Sequence, residues 1–366
     1  MALSEPHDEA RRSAGRALSG RPRIGLVGMA LAALLIVLAI LSLTHGAASI
    51  AASRVFEILF RSGADGGAGD IGRDALVVLN IRLPRLLLGG MIGAALGGSG
   101  ALMQGLFRNP LADPGLVGVS AGASLAAAAT ILFGERLPAS LTGGASFSAL
   151  TVAAFLGALA STASLYLIAT RGGRTSIPTM LLAGVALAAL AGSLTGLLAY
   201  ISDDRQLRDL TFWSLGSLGG ATWIKVEVLT PVCVLIVAAT PFLSRGLNAM
   251  AFGEAEAFHL GIRVQRLKVA IIVLVAIAVG ASVAAAGVIG FVGIVAPHML
   301  RLAIGPDHRA LLPLSALAGA ALTIGADILA RTLVAPAEMP IGILTAAVGA
   351  PFFLWLLLRG EGSLRF

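Results

Sequence analysis

Long apolar stretches fill this chain from Ile24 to Leu358, and few charged residues interrupt them. A helix that crosses the hydrocarbon core of a bilayer needs roughly 20 apolar residues. Because lipid offers the backbone no hydrogen-bonding partner, the spans must be helices, and the alternation typical of a membrane barrel is absent. We predict about ten membrane-spanning helices, at 24–45, 84–106, 114–133, 147–170, 178–200, 224–244, 265–285, 287–304, 311–331 and 341–358.

The composition agrees with this pattern and excludes an ordinary soluble domain. Hydrophobic residues make up 57% of the chain, the mean hydropathy is +0.93, and charged residues make up only 12%. The predicted fold class is therefore an all-α polytopic membrane protein. Many of the 46 glycines fall inside the predicted spans, where small residues let helices approach each other closely.

The distribution of positive charge predicts the orientation of the spans. With the N-terminus in the cytoplasm, 16 of the 26 basic residues but only 8 of the 19 acidic residues are cytoplasmic. An even number of spans places both termini there. We predict a basic cytoplasmic tail (1–23), a transmembrane domain (24–359) and a short cytoplasmic tail (360–366). The net charge of +7 follows from this topology, so we expect no nucleic-acid partner.

Several kinds of chemistry find no support in the sequence. The only cysteine, Cys233, lies within a predicted span, so neither a disulfide framework nor a cysteine metal site is expected. The chain lacks the glycine-rich phosphate loop of common ATPases. No pair of histidines has metal-ligand spacing, and we interpret His298 as a structural residue of its span. We therefore expect no metal and no permanently bound cofactor.

The segment 244–266 is a candidate docking loop on the cytoplasmic side. It contains two short amphipathic stretches, Leu247–Phe252 and Ala255–Leu260, and Gly261 has the position of a helix C-cap. A solvated linker would not need so many large apolar residues. The segment could lie on the membrane surface or could dock a cytoplasmic partner.

Charged and turn-forming residues flank the second span. Arg82 and Arg85 lie on its outer side, where they could be interfacial anchors or an ion-pairing surface for an acidic partner. On the inner side, Asn109-Pro110 and Asp113-Pro114 predict a tight corner. Near the outer end of the ninth predicted span, Asp327 and Arg331 have the spacing of an ion pair on one helix face.

The outer segment 200–223 predicts a short helix. Ser202 could cap its N-terminus, with Asp203 and Asp204 in the first turn. Trp213 and Trp223 could lie at the membrane interface, or the helix could line the mouth of a cavity.

Several of these segments resemble the FecCD family of permeases. The similarity is highly specific and extends from about residue 75 to residue 359. It rests on R-L-P-R at 82–85, G-S-G-A-L-M-Q-G-L-F-R-N-P-L-A-D-P-G-L-V-G-V-S-A-G-A at 98–123, G-E-A-E-A-F-H-L-G-I at 253–262, G-V-I-G-F-V-G-I-V-A-P-H-M-L-R at 287–301, G-P-D-H-R at 305–309 and the run at 335–353.

This resemblance implies the membrane subunit of a type II ABC importer. Such a subunit has ten helices, with helices two to five and seven to ten in inverted-topology halves. The resemblance also implies a homodimer in the bacterial inner membrane, two cytoplasmic ATPase subunits that bind ATP, and a periplasmic substrate-binding protein. The chain itself would then not be an enzyme.

The resemblance also assigns roles by position. Arg82, Arg85 and Arg331 correspond to arginines that meet acidic residues of the binding protein. Asn109 and Leu111 correspond to one cytoplasmic constriction, and Ser176 and Ile177 are the nearest matches to the other, although Pro178 departs from the usual polar run. The positions that correspond to the ATPase coupling loop are Gly253, Glu254, Glu256, Leu260 and Gly261.

The substrate expected from the resemblance is haem, because the segment 200–219 is similar to the haem-importing branch. A ferric siderophore and cobalamin remain alternatives. An ion-coupled secondary transporter is the alternative from another class, but it would need coupling-ion ligands inside the membrane, and few charged residues lie there. A membrane enzyme would need clustered His, Asp or Glu residues, which the sequence does not contain.

Overall fold

Helices account for most of the chain in this computed structural model, which describes residues 6–46, 49–61, 70–134 and 149–358. The helices are α1 (Pro6–Thr44), α2 (Ala52–Arg61), α3 (Asp70–Val77), α4 (Leu83–Phe107), α5 (Val119–Phe133), α6 (Ala149–Ala169), α7 (Ile177–Tyr200), α8 (Asp204–Ser214), α9 (Trp223–Met250), α10 (Glu254–His259), α11 (Val264–Ala286), α12 (Val292–Ile304), α13 (His308–Thr332) and α14 (Ile341–Leu358). A π-helical turn (Val78–Arg82) precedes α4, a 3₁₀ turn (Pro114–Val117) precedes α5, and strands β1 (Thr170–Arg171) and β2 (Arg174–Thr175) form an antiparallel hairpin before α7.

Each of the ten predicted spans has a helical counterpart. Among the described residues, seven helices are long and apolar enough to cross a membrane, and α5, α12 and α14 are shorter apolar helices. The basic tail predicted for residues 1–23 is helical from Pro6 onward and continuous with the first span. The two short amphipathic helices α2 and α3 follow α1 and lie before the second span.

Three predicted boundaries were wrong. The third span does not begin as an α-helix at residue 114, because the 3₁₀ turn Pro114–Val117 and Gly118, with φ +73°, precede α5. The eighth span does not begin at residue 287, because Gly287 has φ +75° and Phe291 has φ +67°, and both interrupt the helix before α12. The sixth span does not end at residue 244, because α9 continues to Met250. The added turns are helical because Leu247 and Met250 are fully buried and Gly246 lies against Leu267 of α11.

Helix α4 is the central element of the bundle. It packs against α9, α11, α12 and α13, and its residues are the most buried of the long spans. The contact with α13 depends on glycine: a side chain at Gly93 or Gly97 would collide with the α13 backbone at Gly319 and Ser315. Helices in lipid have no hydrophobic driving force for association, so close packing at these small residues stabilises the contact instead.

Candidate functional site

The alternating direction of the helices gathers the candidate residues at two ends of the bundle. The start of α4 and the end of α13 define an outer end, named from the predicted orientation. The corner after α4, the β1–β2 hairpin and the loop around α10 define the inner end. With 25 residues, α4 is about 37 Å long and separates the two ends.

At the outer end, Arg85 is buried between two carboxylates. Its Nε donates to Asp327 Oδ1 at 2.9 Å, and its Nη2 lies 2.9 Å from the same oxygen. Its Nη1 donates to both carboxylate oxygens of Glu338, at 2.8 and 3.0 Å. Asp327 is buried, whereas the Glu338 side chain is 47% exposed. Arg85 therefore joins α4 to α13 and to the loop that follows α13.

Two further arginines connect this cluster to α1. The Nε of Arg331 lies 3.4 Å from Asp327 Oδ2, which confirms the ion pair predicted from their spacing. The Nη2 of Arg331 donates to the carbonyl and hydroxyl oxygens of Ser42, at 3.1 and 3.0 Å. The Nη1 of Arg82 donates to the Leu43 carbonyl at 2.6 Å. We name Arg82, Arg85, Asp327, Arg331 and Glu338 the outer ion cluster.

Burial changes how the three docking candidates can be interpreted. Arg82, Arg85 and Arg331 are 4%, 7% and 7% exposed in the single chain, and each donates to acceptors of this chain. They do not form an open basic surface, and the docking role stays a prediction. Glu338 is the accessible member of the cluster, and the sequence interpretation missed it because its arginine partner lies 253 positions earlier.

Helix α8 follows α7 at the outer end, as predicted from the sequence. Its N-cap is Asp203 rather than Ser202: Asp203 Oδ1 accepts from the Gln206 N–H at 2.8 Å, and the Gln206 side chain returns to the Asp203 N–H. The Ser202 hydroxyl instead donates to the Leu198 carbonyl at 2.7 Å. This reciprocal cap explains why so polar a segment is helical.

At the inner end, the predicted corner after α4 is confirmed. Arg108 has φ +49° and ends the helix, and Asn109 Oδ1 accepts from the Leu111 N–H at 2.9 Å. Asp113 Oδ1 accepts from the Gly115 N–H at 2.6 Å. Burial raises the pKa of the Asp113 carboxyl above its usual range, although the hydrogen bond from Gly115 opposes that shift. Asn109 is exposed and Leu111 is half-buried.

The second predicted constriction lies at the start of α7. Ser176 is the N-cap, and its Oγ accepts from the Thr179 N–H at 3.3 Å. Ile177 is half-buried against the core, and Pro178 lies in the first turn, where the missing N–H costs no helical bond. The 3₁₀ turn Pro114–Val117 contacts α7, so the corner and this helix start are neighbours. The gate role of Asn109, Leu111, Ser176 and Ile177 stays a prediction.

The predicted coupling loop contains one short helix, α10. Gly253 has φ +131° before it, and Gly261 has φ +82° after it. The N–H of Ile262 donates to the Ala257 carbonyl and that of Gly261 to the Phe258 carbonyl, which confirms Gly261 as the C-terminal capping position. Glu256 is exposed. Three large apolar side chains of this loop are 66–76% exposed, namely Phe252, Phe258 and Leu260.

An ion pair links this loop to the hairpin. The buried Nζ of Lys268, in α11, lies 2.7 Å from Glu254 Oε1 and donates to the Thr175 carbonyl at 2.9 Å. Gln265 reinforces the second contact: its Oε1 accepts from the Thr175 N–H at 3.0 Å, and its Nε2 donates to the Thr175 hydroxyl at 2.6 Å. Thr175 directly precedes Ser176. Glu254 of the predicted coupling loop and the candidate gate are therefore separated by one lysine side chain.

Lys268 and Gln265 were not among the sequence-predicted site residues. A signal was present, because the chain has only two lysines and Lys268 lies in the first turns of an apolar helix. A charge in such a position is by default a functional candidate. Its partners could not be predicted, because Thr175 lies 93 residues earlier in the chain.

His298 is a buried residue of α12. Its ring faces Phe352 edge-on at a centroid distance of 6.1 Å, and neither ring nitrogen has a hydrogen-bonding partner among the described residues. No group of three or more possible metal ligands occurs in the described part of the chain.

Comparison with known proteins places this geometry in one family. The FecCD transport family matches residues 34–359. The hemin transport system permease protein HmuU of Yersinia pestis is 45% identical over 93% of this chain and 98% of its own length. The cobalamin import system permease protein BtuC of Halobacterium salinarum is 44% identical over 78% of this chain and 74% of its own length.

A solved structure agrees with this family. It shows an inward-facing conformation of a protein assigned to the metal-chelate type of ABC transporter, with a TM-score of 0.77 and 32% identity. The match extends over 91% of this chain and 98% of the chain in that structure. The predicted fold class is thus confirmed, and the protein is a multi-pass protein of the inner membrane. Because the family model and these relatives span most of its length, the chain belongs to the FecCD transport family and is a non-catalytic permease subunit of an ABC importer, whose ATP hydrolysis belongs to a separate ATPase.

Proposed function

We propose that this permease imports haem across the inner membrane and receives it from a periplasmic binding protein. The observation that carries the proposal is the 45% identity to a hemin permease over 93% of this chain. The similarity of segment 200–219 to the haem-importing branch supports it, and this segment includes α8 at the outer end. Haem is the transported substrate here and not a resident cofactor.

The proposed assembly contains two copies of this chain, two cytoplasmic ATPase subunits and the binding protein, with both termini in the cytoplasm. We place the second copy against α7, where Leu182, Val185 and Tyr200 are 75%, 64% and 87% exposed and form an apolar surface. The exposed Phe252, Phe258 and Leu260 support docking of an ATPase at the α10 loop.

The contacts at the inner end suggest how coupling works. An ATPase that moves α10 moves Glu254, and Glu254 is bound through Lys268 to the Thr175 carbonyl. Displacement of Thr175 shifts Ser176 and Ile177 at the start of α7 relative to Asn109 and Leu111 in the corner. The gate proposed from the family resemblance can then open without rearrangement of the buried α4–α13 contact.

Uptake into liposomes tests both substrate and class. The permease, its ATPase and its binding protein are reconstituted, and ATP-dependent accumulation of haem is compared with that of a ferric siderophore and cobalamin. We expect accumulation of haem only. Accumulation of another substrate alone would contradict the haem proposal but leave the permease assignment intact, and uptake without the ATPase would indicate a secondary transporter.

Cobalamin is the second candidate substrate, and a specific finding favours it. Besides the Halobacterium salinarum protein, a vitamin B12 import system permease protein of Vibrio cholerae is 44% identical over 78% of this chain and 84% of its own length. These matches cover less of the chain than the hemin permease does, which is why haem is preferred.

The outer ion cluster leads to a prediction about docking. We propose that acidic residues of the binding protein replace Glu338 at Arg85 and engage Arg82 and Arg331 beside it. Glu338→Gln removes the competing charge, so we expect tighter binding of the binding protein, by about two- to fivefold at low salt and less at high salt. Surface plasmon resonance with the reconstituted permease measures this.

A matched control separates this effect from a general change of surface charge. Asp204→Asn removes one exposed acidic charge in the first turn of α8, away from the cluster, and should leave the affinity unchanged. Weaker or unaltered binding in Glu338→Gln would mean that Glu338 does not compete with the partner.

A further inference from the structure

An elongated groove runs along the side of the bundle between α4, α9 and α13. Its volume is about 810 Å³, within the usual range for ligand sites. Each helix contributes one face with four-residue spacing to the lining: Ala94, Gly98 and Leu102; Ile236, Thr240 and Ser244; and Leu312, Ala316 and Ala320. We name this cavity the lateral groove.

The groove opens away from the core. Val237 and Leu317 also line it, and they are 67% and 37% exposed. Thr240 Oγ1 donates to the Ile236 carbonyl of its own helix, so this hydroxyl presents little polarity to the groove. The walls therefore offer an apolar surface to the surroundings of the bundle.

Two arginines lie at one end of this apolar lining. Arg245 is near the C-terminal end of α9, and Arg309 is in the first turn of α13. Both are exposed, and among the described residues neither has an ion-pair partner. The nearby carboxylate of Asp307 accepts from Asn248 Nδ2 at 2.7 Å and from the Arg309 N–H at 3.0 Å, and it forms no ion pair with either guanidinium group among the described residues.

Asn248 fixes the position of this charged end. Besides its bond to Asp307, its Oδ1 accepts from the His308 N–H at 2.9 Å and contacts His308 Nδ1 at 2.8 Å. The end of α9 and the beginning of α13 are thereby held together, and both arginines line the same groove.

The dimensions match one leaflet of a bilayer. From Arg245 back to Ile236 is nine residues of helix, which is about 13 Å, and one leaflet contributes about 15 Å of hydrocarbon. Arg309 is in the first turn of α13 and Arg245 is in the last turns of α9, so we place both at headgroup depth, on the surface that the charge rule predicts to be cytoplasmic. Guanidinium groups bind phosphate through paired hydrogen bonds, and basic pockets between helices on this side suit anionic headgroups.

We propose that the lateral groove binds one anionic phospholipid of the cytoplasmic leaflet, with its phosphate at Arg245 and Arg309 and an acyl chain along α4, α9 and α13. Charge complementarity favours an anionic lipid over a second copy of this chain, because the lining of the groove contains Arg245 and Arg309 and no acidic residue. The groove lining shares no residue with the outer ion cluster or with α10.

Native mass spectrometry of the permease, purified in mild detergent, tests the proposal by titration with phosphatidylglycerol or phosphatidylcholine. We expect one tightly retained phosphatidylglycerol per chain and weaker binding of phosphatidylcholine. The double variant Arg245→Gln/Arg309→Gln should bind phosphatidylglycerol about 10- to 30-fold more weakly. The control Arg171→Gln/Arg174→Gln removes the same charge from the exposed hairpin and should bind as the wild type does.

A second variant tests the apolar part of the site without a change in charge. Ala316→Phe fills the middle of the groove and should also weaken retention, while elution and melting temperature report that the chain is folded. Equal binding by the two double-arginine variants, or equal binding of the two lipids, would overturn the proposal. So would Leu317→Cys cross-linking between two copies with no lipid retained, because a second copy would then cover the groove.

Discussion

Replacement of Asp327 by alanine is expected to lower the free energy of unfolding by about 3–5 kcal/mol, the largest effect we predict for any single substitution. Asp327 is 3% exposed and is the shared partner of Arg85 and Arg331. Without this carboxylate, the two buried guanidinium groups have a single counter-charge, Glu338. That carboxylate pairs only with Arg85, so Arg331 is left without an acidic partner in the cluster. The cost arises from uncompensated buried charge rather than from one lost contact.

Thermal unfolding of the purified permease in detergent measures this effect. A matched control is Glu57→Gln, which removes a carboxylate from a surface ion pair with Arg54 whose side chains are 30% and 49% exposed. That change should alter stability by less than about 1 kcal/mol. An Asp327→Ala variant as stable as Glu57→Gln would show that the outer ion cluster does not hold the helices together.

The sequence predicted the spans well because their physical signal is strong and local. Ten apolar runs correspond to ten helices, and the helix cap at Gly261 followed from short-range chemistry. The Asp327–Arg331 pair also followed from spacing on one helix. These features depend on residues within a few positions of each other.

The errors have physical causes that local patterns do not carry. The extension of α9 to Met250 depends on packing of Gly246 against Leu267, a contact across a loop. Asp203 replaced Ser202 as the cap of α8 because Gln206 completes a reciprocal pair with Asp203. The break at Gly287 depends on a positive φ within an uninterrupted apolar run, where hydropathy gives no warning.

The arginines were the hardest residues to interpret from sequence alone. The sequence shows that Arg82, Arg85 and Arg331 are positively charged, but it does not show whether they are exposed. In the structure all three are buried beside acidic side chains and carbonyl groups of the same chain. Burial does not remove the docking proposal, since the Glu338 side chain is 47% exposed and a partner could reach it. Because these arginines are buried, replacing any of them would change the stability of the permease as well as its affinity for the binding protein. Substitution of Glu338 is therefore the better test of docking.

Substitution of Lys268 by methionine is expected to reduce ATP-driven uptake by about tenfold or more while the ATPase still copurifies. This lysine forms an ion pair with Glu254 of the α10 loop and a hydrogen bond to Thr175 beside the candidate gate. Methionine preserves the apolar stem but removes both contacts. A loss of coupling between two sites typically corresponds to a factor of 5 to 150. Uptake and ATP hydrolysis are measured in the same liposomes.

The chain supplies a matched control in its other lysine, Lys225. Its Nζ donates to the Ala285 carbonyl at 2.9 Å, near the outer end and away from α10. Lys225→Met removes one half-buried ammonium contact and should leave the ratio of uptake to hydrolysis unchanged. Lys268→Arg should retain part of the coupling, because a guanidinium can still pair with Glu254. If Lys268→Met transports as many molecules per ATP as Lys225→Met, movement of α10 reaches the gate by another route.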